Sequence, residues 1–192
     1  MLKCLVLFLF STLSTYLNNE PPPPINQSKI KEALAFCKQN NMDTTICIMV
    51  DMSTHSGKNR LFVFNFKKNQ VLIESLCAHG VGGGSTPLKP VFSNQEGSYC
   101  TSLGKYKVKG RSYSNWGINI HYKMYGLEKS NSNAFKRIVV LHSYTPVPNK
   151  EIYPQTLFGQ SAGCPVISNV AMKKIDTLLK AKRKPVLLWI YN

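Results

Sequence analysis

At 192 residues the chain can hold one domain with a proper core and hardly two. Hydrophobic residues at 43% and charged residues at 17% exclude a disordered polymer. Lys and Arg number 24 against 9 Asp and Glu, a net charge of +15 that predicts attraction to polyanions or to an acidic surface. Zinc-finger spacing, RNP-like aromatic motifs and a helix-turn-helix pattern are all missing, so a basic solvated surface is favoured over a nucleic-acid groove and no nucleic-acid partner is expected.

Residues 1–19 resemble an export signal. Lys3 supplies a short positive region, and residues 4–10 are an apolar core too short for a permanent membrane span. Residues 20–27, with Pro21 to Pro24, form a stiff extended spacer. The folded domain is expected over residues 28–192. Ser28 can cap a helix over residues 29–39, with Ile30, Ala33, Leu34 and Cys37 on one stripe.

Strand signals begin at Thr44. Residues 45–50 are apolar, residues 51–59 a polar turn, residues 61–66 alternate phenylalanine on one face, and residues 71–78 return after a Lys-Lys-Asn-Gln turn. This predicts a β-meander that ends at His79 and Gly80. Residues 81–85 carry three consecutive glycines without the Gly-Lys-Ser/Thr of a phosphate loop. A loop over residues 92–103 leads to a short strand over residues 104–108, and another strand is expected over residues 118–122. There His121 alternates opposite Ile118 and Ile120, which predicts a solvent-facing side chain. Trp116 and Tyr113 could flank a substrate or simply pack, and packing is the favoured reading.

The stretch from Arg137 to Asn169 organises the rest. Ile138-Val139-Val140-Leu141 reads as a buried strand that delivers His142 and Ser143 at its tip. After a proline-containing loop comes Gly159-Gln160-Ser161-Ala162-Gly163-Cys164-Pro165, a turn that presents a cysteine. A free thiol has a pKa of about 8.5, so only a small fraction is thiolate at neutral pH, and a histidine within reach raises that fraction by taking the proton. Cys164 and His142 are therefore a candidate nucleophile and base. The alternative is a structural cysteine beside an unrelated histidine. A second helix, capped by Ser168 or Asn169, runs to Lys180 and aims its positive end at the cysteine loop. Residues 186–191 form a last buried strand. Six cysteines lack any Cys-x-x-Cys pair, which argues against structural zinc and leaves their pairing open.

His142-Ser143 followed by Ser161-Ala162-Gly163-Cys164-Pro165 resembles the signature of the YkuD-like L,D-transpeptidases, in particular the murein L,D-transpeptidase catalytic domain family. The likeness continues upstream, in order, through Asp51-Met52-Ser53, Arg60-Leu61-Phe62-Val63-Phe64, His79-Gly80, Phe92-Ser93-Asn94 and Ser102-Leu103-Gly104. The resemblance implies a mainly β domain, a β-sandwich with a helix at its N-terminus and a helix after the catalytic cysteine. It implies that Cys164 attacks the carbonyl between the third and fourth residues of a peptidoglycan stem peptide, that a thioester forms, and that an amine of a second stem resolves it to a 3–3 cross-link. Water as acceptor would make a carboxypeptidase or a cross-link-cleaving endopeptidase instead; a non-catalytic wall-binding module is the rival from another class.

On this resemblance His142 is the base, the Ser143 carbonyl orients it, Gly163 and Cys164 N–H groups serve the oxyanion, and Ser161 shapes the loop. His79, Ser102 and Gly104 are candidates for the cleft. No cofactor or metal is called for, a carbapenem could form a covalent adduct, and the compartment would be the periplasm or cell wall. The sequence departs from the pattern twice. Ala162 stands where most of the wider family has a second histidine, and Val166 where many members have an arginine. Arg60, Arg111 and Arg137 are left as possible anchors for a substrate carboxylate.

Overall fold

The computed structural model describes residues 25–157 and 161–192. The signal-like segment 1–19, residues 20–24 of the spacer and the Gly159-Gln160 pair lie outside the described residues. Helix α1 (Gln27–Gln39) buries Ile30, Ala33 and Cys37. Its cap is Asn26, two residues before the expected Ser28, and the Asn26 side chain accepts the Ser28 N–H at 2.8 Å. Asn at this position satisfies an N–H that the first turn leaves without a partner.

The predicted meander is present as β1 (Ile46–Asp51), β2 (Leu61–Asn65) and β3 (Gln70–Ser75), antiparallel throughout. Strand β4 (Gly104–Tyr113) runs well past the expected Val108, because a bulge at Gly110, with φ of 78°, carries it on. Strand β5 (Ile120–Gly126) starts two residues late, since Gly117 and Asn119 adopt positive φ in the turn before it. Strand β6 (Val140–Ser143) also starts late: Ile138, read as buried, is 76% exposed with φ of 56°. Then come β7 (Val166–Ile167), helix α2 (Asn169–Lys180) capped by Ser168, and β8 (Val186–Tyr191).

The eight strands among the described residues form one sheet in the order β3-β2-β1-β8-β4-β5-β6-β7. The last strand in sequence is central, parallel to β1 and antiparallel to β4. Every residue of β8 is buried, as a strand covered on both faces requires. Alternation then sorts side chains between two cores. Cys47, Met49, Phe62, Phe64, Leu187 and Trp189 meet α1 on one face. Ile48, Val50, Leu61, Val108, Met124, Leu141 and Leu188 meet α2 on the other. Strands from both ends of the order share this second core, so the expected sandwich takes the form of a curved, barrel-like sheet of a mainly β domain.

Asp176 fastens α2 to the sheet. It accepts from Arg111 Nε of β4 and Tyr122 Oη of β5, each at 2.7 Å, and pairs with Lys180 at 3.3 Å. Cys37, Cys47, Cys77 and Cys100 are buried free thiols, and Cys164 is also unpaired.

Candidate active site

Sheet register brings the predicted pair together. Strands β6 and β7 are parallel with His142 opposite Val166, and Cys164 lies two residues before Val166. His142 and Cys164 line one cavity of about 600 Å³, walled also by Tyr113, Trp116, His121, Ile138, Val140 and Tyr144.

His142 is held by its own chain. Its Nδ1 lies 3.0 Å from the Ser143 carbonyl oxygen. A carbonyl only accepts, so Nδ1 carries the proton and Nε2 presents a lone pair. Burial, aided by the neighbouring His121, pushes the imidazole below the usual histidine range, against the opposing pull of the Ser143 bond. Ser143 is buried and its hydroxyl accepts the Ile118 N–H at 3.1 Å. Gly117 makes this approach possible: a Cβ there would fall 2.1 Å from Ser143 Oγ.

The cysteine loop is stitched by Ser161. Its hydroxyl accepts the Gly163 N–H at 3.1 Å and donates to the Cys164 carbonyl at 2.5 Å. Gly163 has φ of 115°, and a Cβ on it would lie 2.7 Å from the Cys100 carbonyl oxygen. Thr101 Oγ1 donates to the Gly163 carbonyl at 3.2 Å. Beneath the loop the Arg137 guanidinium donates to the carbonyls of Cys100 at 2.5 Å and Ser93 at 2.9 Å. Val140 N–H points at Cys164 Sγ at 3.4 Å. Burial raises the Cys164 thiol above its ordinary value; the Val140 bond and the Arg137 charge pull it down by less. The thiol and the imidazole that line this cavity are therefore both neutral at rest.

A profile of the L,D-transpeptidase catalytic domain matches residues 23–191 of this chain. The chain belongs to that family. No protein of curated function matches it. Among solved structures it is similar to the helical cell shape determining protein Pgp2 from Campylobacter jejuni, at 12% identity and a TM-score of 0.50, over 77% of this chain and 48% of that one. It is similar to Bd1075 from Bdellovibrio bacteriovorus at 18% identity and a TM-score of 0.48, over 79% of this chain and 49% of that one. It is also similar to an L,D-transpeptidase from Xylanimonas cellulosilytica at 14% identity and a TM-score of 0.40, over 82% of this chain and 68% of that one. The chain thus spans about half the length of Pgp2 and Bd1075, and the likeness to Pgp2 is one of fold.

Within this family domain, the other residues singled out from sequence are dispersed. His79 does not line the cavity. It is buried, its Nδ1 accepts from Arg60 Nη2 at 2.8 Å, and its Nε2–H donates to the Thr86 carbonyl at 2.9 Å. Ser102 is buried against Tyr106 Oη at 2.7 Å and receives Arg137 at 3.3 Å, one layer behind the cysteine loop. Gly104 opens β4 against Glu128 and Asn131, away from the cavity wall. The Gly163 N–H is taken by Ser161, whereas the Cys164 N–H has no acceptor among the described residues. No described residue of α2 lines the cavity. Arg60, Arg111 and Arg137 are committed to Cys77 and His79, to Asp176, and to Cys100, respectively.

Three residues were misread from sequence. Trp116 and Tyr113 do not pack inward; they are 55% and 68% exposed and wall the cavity, with Trp116 edge-on to Tyr144 at 5.5 Å. His121 faces the cavity rather than bulk solvent, because it lies directly opposite His142 in the β5–β6 register. The signal was available in part: two strands that each carry a histidine on the polar phase place both on one face once they pair.

Proposed function

We propose that this domain is an exported cysteine L,D-transpeptidase of peptidoglycan, with Cys164 as nucleophile and His142 as base. The observation that carries the reading is the convergence of Cys164 and a His142 tautomer pinned by Ser143 on one cavity. The thiol proton passes to His142 Nε2 as Cys164 Sγ attacks the carbonyl between stem residues three and four. The Cys164 N–H steadies the oxyanion, and His142 returns the proton to the departing amine of the terminal D-residue. An amine of a second stem then displaces the sulfur from the thioester and closes a 3–3 cross-link. The tetrahedral steps need a loop that holds its shape, which is the work of Ser161, Thr101 and Gly163. Residues 1–19 direct the chain to the periplasm or cell wall, where the +15 charge suits a polymer bearing carboxylates.

The test is intact-mass spectrometry of the mature domain with a disaccharide tetrapeptide, alone and with a carbapenem, beside Cys164→Ala and His142→Ala. A Cys164-dependent covalent adduct and a cross-linked dimer are expected. Tripeptide without dimer assigns the enzyme to hydrolysis. No adduct and no processing under reducing conditions removes the enzyme reading and leaves a wall-binding module.

A further inference from the structure

The cavity holds a second imidazole that the mechanism above does not use. His121 of β5 is the direct register partner of His142 of β6, and both side chains line the cavity that contains Cys164. His121 is half-buried, and its ring interacts with the Tyr113 backbone. Among the described lining residues there is no Lys, Arg, Asp or Glu. Apart from Cys164 and the two imidazoles, the described lining offers only hydroxyls and phenols, among them Ser161, Tyr113 and Tyr144, and these neutral groups are poor proton acceptors.

Proton counting shows where a second imidazole would act. In the donor half-reaction the thiol proton ends on the leaving amine, so a single base that takes it and returns it closes the balance. The acceptor half-reaction differs. An amine in neutral water arrives as an ammonium ion, R–NH3+. To become the amide nitrogen it loses two protons as the new C–N bond forms and the C–S bond breaks. One proton ends on the Cys164 sulfur, by way of His142. The other is lost either to solvent, which leaves only the small free-base fraction of the amine able to react, or to a second acceptor inside the cavity.

We infer that His121 is a catalytic residue of the acceptor half-reaction: it takes the first proton from the incoming ammonium and releases it to solvent after the cross-link has formed. This rests on the proposed thioester chemistry of Cys164. Water already has a lone pair and attacks without prior deprotonation, and its surplus proton leaves only afterwards, from the carboxylic acid product, so aminolysis depends on His121 far more than hydrolysis does.

The experiment is single-turnover mass spectrometry of the acyl-enzyme in wild type, His121→Gln and His121→Asn, with circular dichroism to verify folding. Both variants should acylate within about threefold of wild type, and aminolysis by the second stem should fall about 100-fold, the usual worth of a general base. Product should move from dimer to tripeptide. Hydroxylamine, uncharged near neutral pH, needs no prior deprotonation and should resolve the acyl-enzyme of both variants at the wild-type rate. An unchanged dimer-to-tripeptide ratio overturns the inference. So does equal slowing of acylation and aminolysis, or failure of hydroxylamine to restore turnover. A wild type that acylates but only hydrolyses overturns it as well, and a wild type that never acquires a Cys164-dependent adduct brings down the proposed function along with it.

Discussion

The backbone N–H of Val140 points at the sulfur of Cys164 from 3.4 Å, while burial of that sulfur works the other way and prevails. Cys164 is thus stored as a thiol, and the proposed mechanism has it activated by proton transfer during attack. His142 is held below the ordinary histidine range, so it stays neutral, and able to accept, at neutral pH. Two consequences are measurable. With His142 replaced by Ala, the rate of Cys164 alkylation by iodoacetamide should climb with pH through a midpoint above the ordinary ~8.5 of a thiol. In wild type the acid limb of kcat/KM should fall below the ordinary ~6.5 of histidine, because a base is lost only as pH drops through its own pKa. An alkylation midpoint below neutrality in wild type would instead mean a preformed thiolate–imidazolium pair, contrary to this account.

Gly163 is the tightest point of the cysteine loop. Its φ of 115° is unfavourable for a side chain, and a Cβ would sit 2.7 Å from the Cys100 carbonyl, which Arg137 in turn holds. The neighbour is backbone and cannot swing away. Gly163→Ala should leave the domain folded and displace Cys164, and a displacement of about 1 Å at a reacting atom costs on the order of 100-fold in acylation rate. Acylation by a carbapenem, followed by mass, measures this directly. Wild-type rates in the alanine variant would show that the loop has slack that the geometry denies.

Arg60 and His79 make a buried pair with a pH signature. Arg60 is 1% exposed, donates from Nε to the Cys77 carbonyl at 2.7 Å, and donates to His79 Nδ1 at 2.8 Å. Burial first, and the Arg60 charge second, push His79 down to about 4. The unfolded chain takes up a proton near pH 6.5 and the folded one only near 4, so between these values the unfolded state binds more protons and stability falls with acidification. The full loss across that window is on the order of 3 kcal/mol. Urea denaturation at several pH values should show this slope in wild type. His79→Gln, whose amide can accept from Arg60 and donate to Thr86, should flatten it. Parallel slopes in the two proteins would exclude His79 as the source.

Much of the chain could be read locally. The meander of β1 to β3, the helix stripe of Ile30, Ala33 and Cys37, and the buried run of β8 follow from apolar periodicity, which needs only neighbours in sequence. The ordered motifs from Asp51 to Pro165 pointed to the family, and the resemblance they carry named the Ser143 carbonyl as the partner of His142. What escaped depends on pairing. That β8 inserts between β1 and β4, that Gly110 carries β4 onward through a bulge, and that Ile138 leaves the strand at positive φ are set by packing across the sheet. His79 and His121 exchanged their expected places for the same reason. Alternation along a strand shows that a histidine lies on the polar phase, but the sheet alone determines whether that phase opens on water, on a buried arginine, or on a cavity that already holds a cysteine and a second histidine.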